Sequence, residues 1–270
     1  MIKYGCFFYF LLSTSLLLAQ RLPDSDNACF LNLGVGPALV SANDAQASPL
    51  TYRGLNAAIS AGYERYSTSL SSLTFSAGVG SLQNAVSFAG RMQAYQFGLS
   101  YQRLYPVLER NVSIALGGAA DVWGHVRLNS GYENNLLSYE LASSLSLAAR
   151  FYKSLTIRGR RLWLSYQIAL PAMTYLIRPA YSIPYPEKFL RDGVYNFADA
   201  GVAGPGLASG SLVSFNRFFK VSSALSLTYF LKDSSNAIRL QYGWDYYSLA
   251  AEKRVATARQ LLMFSLLINL

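Results

Sequence analysis

The chain is poor in charge. Asp, Glu, Lys and Arg together supply 14% of its 270 residues, against 52% hydrophobic ones. Ordinary globular domains carry about 25% charged residues, so these side chains do not suffice to clothe a conventional water-facing surface. The chain is also poor in cysteine and histidine, with two Cys and one His. Cys6 falls in an N-terminal leader, so removal of that leader leaves Cys29 alone and excludes an internal disulfide. Asp26, Asn27 and Ala28 before it do not form a lipidation box. One His and one Cys about a hundred residues apart offer no metal-ligand spacing, so neither metal nor cofactor is expected. Long apolar runs are missing too: past the first twenty residues nothing approaches the ~20 consecutive apolar residues of a membrane helix.

The exception is MIKYGCFFYFLLSTSLLLAQ at the start. Lys3 precedes an apolar run from Cys6 to Leu18, broken only by Ser13, Thr14 and Ser15, and Ala19 follows as a small residue. This is the order of a secretory signal peptide, with cleavage expected after Ala19 or Gln20. Residues 1–20 are therefore read as an export signal and 21–270 as a single domain.

Within that domain the dominant signal is a period of two. AIRLQYGWDYY sets Ile238, Leu240, Tyr242, Trp244 and Tyr246 on one face, and Arg239, Gln241, Gly243, Asp245 and Tyr247 on the other. LSYELASSLSLAARF separates Tyr139, Leu141, Leu145, Leu147 and Phe151 from Glu140, Ala142, Ser144, Ser146 and Ala148. The terminal ARQLLMFSLLINL puts Leu262, Phe264, Leu266, Ile268 and Leu270 on one side. Side chains alternate in this way only along extended strands. Ten such segments are read, at 28–41, 53–64, 70–82, 91–104, 111–127, 136–152, 160–182, 209–231, 236–249 and 254–270. Short polar connections (RYSTS, VLERN, KSLTIRGR, KDSSN) alternate with longer ones, the longest being 183–208. In the proline-bearing stretch LPAMTYLIRPAYSIPYP a bulge is expected near Pro171 or Pro179, because proline cannot donate to a sheet ladder.

The sign of the pattern follows from the second face. It is mostly Ala, Gly and Ser, with an occasional charge, which suits a crowded interior rather than a wet surface. The large apolar residues are then outside, where only lipid can satisfy so many of them. Aromatic residues agree: Tyr63, Tyr101, Tyr152 and Tyr229 close strands beside Arg65, Arg103, Lys153 and Lys232, while Trp123, Trp244, Tyr246 and Tyr247 lie toward the opposite strand ends. Two such belts are expected at the two interfaces of a bilayer. A sheet in hydrocarbon must also close on itself. The expected fold is therefore all-β: a closed antiparallel transmembrane barrel of about ten strands in up-and-down order, with eight to twelve compatible.

With signal peptide, alternation, alternating loop lengths, belts and terminal strand in place, the chain resembles the outer-membrane β-barrels of Gram-negative bacteria. The resemblance implies an outer-membrane location, both termini in the periplasm, 183–208 as an extracellular loop, contact with outer-membrane lipids and lipopolysaccharide, and reading of the last strand by the barrel assembly machinery. That strand usually ends in an aromatic, whereas this chain ends in Leu270, with Phe264 the nearest aromatic.

Chemistry is sparse. His125 in DVWGHVRLN is the candidate for acid–base work, with Ser130, Glu133 and Glu140 near in sequence, yet no His-x-Ser pattern occurs because position 127 is arginine. The GVG triplets at 34–36 and 78–80 lack a dinucleotide fingerprint and sit in strands, where glycine eases packing. Inward charges are expected at Glu64, Asp121, Arg127, Glu140, Arg150, Arg239 and Asp245, either pairing across a plugged interior or lining a thin polar path. The net charge of +9 is scattered over turns and rims rather than clustered, which argues against nucleic acid and for anionic lipid. The functional expectation is a non-enzymatic barrel, porin-like or structural and binding. The alternatives are a lipid-modifying hydrolase or acyltransferase using His125, and a subunit of a larger envelope complex.

Overall fold

The computed structural model describes residues 28–45, 48–86, 90–129, 137–178, 210–215, 217–231, 235–250 and 254–270. The leader and the 183–208 loop lie outside them, as do Ser130, Glu133 and Pro179. The strands are β1 (Ala28–Asp44), β2 (Ser48–Tyr66), β3 (Leu70–Gln83), β4 (Arg91–Leu108), β5 (Ser113–Asn129), β6 (Leu137–Ile157), β7 (Arg160–Ile177), the short β8 (Ser211–Val213), β9 (Phe218–Phe230), β10 (Ala237–Leu249) and β11 (Val255–Asn269). Neighbours in sequence pair antiparallel from β1 to β8 and from β9 to β11, and β11 returns to β1 from Phe30↔Asn269 to Asp44↔Val255. β8 and β9 share one place in the ring, both pairing with β7, so the barrel is a closed meander of ten positions. Closure of β11 onto β1 gives the sheet no free first or last strand, which is what hydrocarbon demands.

Period two decides what each strand shows to either side. On β11, Leu262 and Phe264 are 47% and 54% exposed, while Leu261 and Met263, which alternate with them, are 8% and 4% exposed. The hairpin between β6 and β7 is tighter than the eight-residue connection read from sequence. β6 continues to Ile157, and the turn is Arg158–Gly159, both at positive φ (51° and 71°). Such a two-residue turn matches the right-handed twist of the strands it joins.

The irregularity expected in the seventh strand falls at Pro171. There β6 pairs Leu145 with Met173 and Ser146 with Pro171, so Ala172 is extra. On its other side β7 pairs with β9 over 162–169 and with β8 over 174–176, and between the two the backbone turns back, Arg217 N and Phe218 N both donating to Ser214 O. The single eighth strand expected at 209–231 is interrupted at this turn.

Inside, small and large residues face each other. β1 to β3 present Gly34, Gly36, Ser60, Gly62, Ser76, Gly78 and Gly80, while β5, β9, β10 and β11 send in Trp123, His125, Lys220, Asp245, Tyr247 and Arg259. The close approach is real at Gly34, where an added Cβ would lie 2.6 Å from both Ser60 Oγ and Ser265 Oγ. The GVG glycines thus make room within the wall, and no loop at 34–36 is available to cradle a phosphate.

Candidate functional site

The interior is built in layers. In the layer toward the chain termini, Glu64 of β2 accepts from Arg239 of β10 at 2.5 and 2.9 Å, from Asn32 at 2.9 Å and from the Tyr66 hydroxyl at 2.6 Å. Arg239 also donates to Thr228 Oγ1 at 3.0 Å. Arg150 lies nearby and donates twice to Gln167 Oε1. Around these charges pack Phe30, Leu70, Leu104 and Leu267, with Trp163 and Phe230 edge-on at 4.7 Å between ring centroids. A buried pair of this kind is tolerated where further hydrogen bonds, here from Asn32 and Tyr66 to the carboxylate and from the guanidinium to Thr228, answer the groups the pair itself leaves open.

At the opposite end the hub is Arg127. Its Nη1 donates to Glu140 Oε1 at 2.8 Å and Asp44 Oδ2 at 3.2 Å, and its Nη2 donates to the Tyr247 hydroxyl at 2.8 Å and Thr257 Oγ1 at 3.0 Å. Arg178 adds a second cation, 2.6 Å from Asp44 Oδ1. Two carboxylates and two guanidiniums therefore balance in a layer capped by Leu176, Val213, Phe218, Leu249 and Val255.

His125 belongs to this network. Tyr247 donates its one hydroxyl hydrogen to Glu140 Oε2 at 2.7 Å, and His125 Nδ1 lies 2.8 Å from the Tyr247 hydroxyl oxygen. The phenol has no second hydrogen to give, so Nδ1 must carry the hydrogen and donate it. The contact fixes the imidazole tautomer.

Between the two layers lies a cavity of about 90 Å³ lined by Ser76, Gln96, Trp123, His125, Lys220, Asp245, Tyr247, Thr257 and Arg259. Asp245 is held by Arg259 at 2.6 and 2.9 Å, Asp121 accepts from Ser100 and Ser146, and the Lys220 ammonium sits 4.9 Å from the centre of the Trp123 ring. This space is far below the roughly 300–1,000 Å³ of organic-ligand sites. Among the described residues no group of three or more His, Cys, Asp or Glu could hold a metal ion.

All seven charges named from sequence lie on the inward face, but in three separate places: Glu64, Arg239 and Arg150 toward the termini, Asp121 and Asp245 in the middle, Arg127 and Glu140 at the far end. Sequence reading missed Asp44, Arg178, Lys220, Thr257 and Arg259; Tyr247 it set on the inward face of its strand while also naming it with the aromatics toward the strand ends. Parity was the available signal for two of them. Lys220 alternates with Ser222, Ala224 and Ser226, while Arg259 was hidden because its inward neighbours Leu261 and Met263 are apolar. Of the belt residues, Tyr63, Tyr101 and Trp244 are exposed on the outward face, and Tyr229 and Tyr246 are half-buried on it, Tyr246 stacking on Trp244. Trp123 and Tyr152 instead point inward. Trp123 is 7% exposed and stacked on Phe218, and Tyr152 packs with the apolar residues toward the termini. Each shares parity with an inward charge, Asp121 and Arg150 respectively, and parity overrides nearness to a strand end.

No family model matches the chain, and no curated protein matches its sequence. Among solved structures it is similar to the outer-membrane protease OmpT from Escherichia coli, at 9% identity over 94% of this chain and 100% of that one, with a TM-score of 0.50. It also aligns with Neisserial surface protein A, NspA, at 12% identity over 89% and 97% of the two chains, with a TM-score of 0.34. At such identities the likeness to OmpT concerns the fold alone. The chain has the fold of a Gram-negative outer-membrane β-barrel, closed over ten ring positions and with large apolar residues on its outward face.

Proposed function

We propose that this chain is an exported outer-membrane barrel that does not conduct, and that it serves the envelope as a structural and binding element presented at its rims. Residues 1–20 act as the export signal, both termini face the periplasm, and β11 is the strand offered to the assembly machinery. The observation that supports the reading is that two ion-pair layers packed in apolar side chains lie across the lumen on either side of a cavity of about 90 Å³. A hydrated ion path needs a continuous polar lumen. Purified protein in planar bilayers is expected to give no discrete conductance steps. Regular steps whose ion selectivity changes on Arg239→Glu would overturn this reading in favour of a channel.

A second reading, a lipid-modifying hydrolase or acyltransferase, is favoured by one observation. His125 has a fixed tautomer and lines the cavity together with Ser76 and Thr257. Loss of lipid turnover on His125→Ala would support it; unchanged lipid A and phospholipid profiles would remove it.

A further inference from the structure

The outward wall formed by β2, β3 and β4 carries an arrangement that repeats at both ends. Toward the termini, Arg65, Ser71 and Arg103 stand side by side, since Arg65 pairs with Ser71 and Ser71 with Arg103. At the far end Arg53, Gln83 and Arg91 do the same. In each row two arginines flank a shorter uncharged residue on the middle strand. Their backbones are two strand spacings apart, about 10 Å, so two extended guanidiniums can converge on one group seated over β3.

Depth along the wall is also defined. Twelve positions separate Arg53 from Arg65, and twelve separate Arg91 from Arg103. At ~3.3 Å per residue and a strand tilt of ~40°, the rows are roughly 30 Å apart along the barrel axis. The apolar band of such barrels is about 25 Å tall. Each row therefore lies just beyond the hydrocarbon, at the level of lipid phosphates.

The row toward the termini has a built approach. One step toward the bilayer centre, Tyr63, Leu73 and Tyr101 form the next outward row, 40%, 46% and 46% exposed. Leu73 lies between two tyrosines and offers an apolar bed for the first methylenes of an acyl chain. Arg103 is steadied by the Tyr105 ring, 5.3 Å from its centre.

We infer that Arg65 and Arg103 form a binding site for the phosphate of an anionic phospholipid in the leaflet facing the termini, with its acyl chain on Leu73 between Tyr63 and Tyr101. The inference rests on the membrane placement proposed above. Arginine is suited to the task because its planar fork meets phosphate oxygens two at a time.

The test is native mass spectrometry of the full chain, released from detergent with equal amounts of phosphatidylglycerol and phosphatidylethanolamine. Wild type is expected to retain phosphatidylglycerol preferentially. The double variant Arg65→Gln/Arg103→Gln should retain it about thirtyfold less well, and each single variant about fivefold less well; the single variants decide the matter if the double one does not fold. Arg158→Gln/Arg160→Gln removes two charges at the same rim on another wall and should retain lipid as wild type does. Equal loss in that control would mean diffuse attraction and would overturn the site, as would full retention by the double variant. Displacement of the lipid by millimolar inorganic phosphate would make it a site for free phosphate and overturn the lipid assignment. Flotation of wild type with phospholipid vesicles separates the two levels. No flotation would overturn the membrane reading itself, whereas flotation without selective retention would overturn only the arginine site.

Discussion

Arg239 and Glu64 stand 175 positions apart in the chain and meet inside the barrel through two parallel N–H···O contacts. The pair ties β10 to β2 across the closing seam of β11 and β1. Removing one member strands the other charge in a packed interior. Arg239→Met and Glu64→Gln are each expected to cost about 3–5 kcal/mol, read as urea unfolding from lipid vesicles. The double variant should cost less than the sum, because neither charge is then left unpaired. Strict additivity would show that the two do not interact.

The far-end network makes a prediction about a proton. Tyr247 donates to Glu140, so His125 Nδ1 must be the donor in their contact. Nitrogen NMR of histidine-labelled protein should show the Nδ1–H form in wild type. Tyr247→Phe removes the acceptor and should release the ring to the other tautomer, with about 1–3 kcal/mol of stability lost for the hydrogen bonds left unmade. An unchanged nitrogen spectrum would mean that another group orients the ring.

The three tryptophans separate inside from outside. Trp244 is exposed on the outward face, whereas Trp123 and Trp163 pack inward. In single-tryptophan variants, brominated acyl chains should quench Trp244 strongly and Trp123 and Trp163 weakly. Strong quenching of Trp123 would reverse the face assignment of β5. Trp123→Ala should also cost about 3–5 kcal/mol, as large core truncations do.

A charge placed on the apolar band tests the lipid-facing assignment directly. Phe264 is 54% exposed and pairs with Val35 and Leu240 near the strand centres. Phe264→Arg should cost about 2–4 kcal/mol in vesicles and much less in a short-chain detergent whose shell adapts to it. Equal costs in both would argue against lipid at that face.

Most of the architecture was legible because a closed sheet leaves each strand two unlike solvents, and period two records them. The terminal strand shows it: the alternation of Leu262, Phe264 and Leu266 with Leu261, Met263 and Ser265 is visible in the letters and in the exposure of the folded chain. The interior networks were legible only as parity. Sequence could say that Glu64 and Arg239 both point inward, yet their meeting depends on which strands face each other across the lumen, and no local pattern encodes that. Trp123 and Tyr152 were assigned by nearness to strand ends, although their parity with Asp121 and Arg150 was already decisive. Arg178 lies where Pro171 and its neighbours break the rhythm, so the period had nothing to say about it.

The interruption between β8 and β9 gives the ring an uneven mechanical character. β1 and β11 pair along nearly their whole length, but β7 meets its partner over 162–169, loses it beside the 214–217 turn, and regains it only over 174–176. The place where the chain's two ends are joined is thus not the weak hoop. Under tension applied to the wall, the first tear would run between β7 and β9, opening the ring into one continuous sheet with those two strands at its edges while the closure between the first and last strands still held.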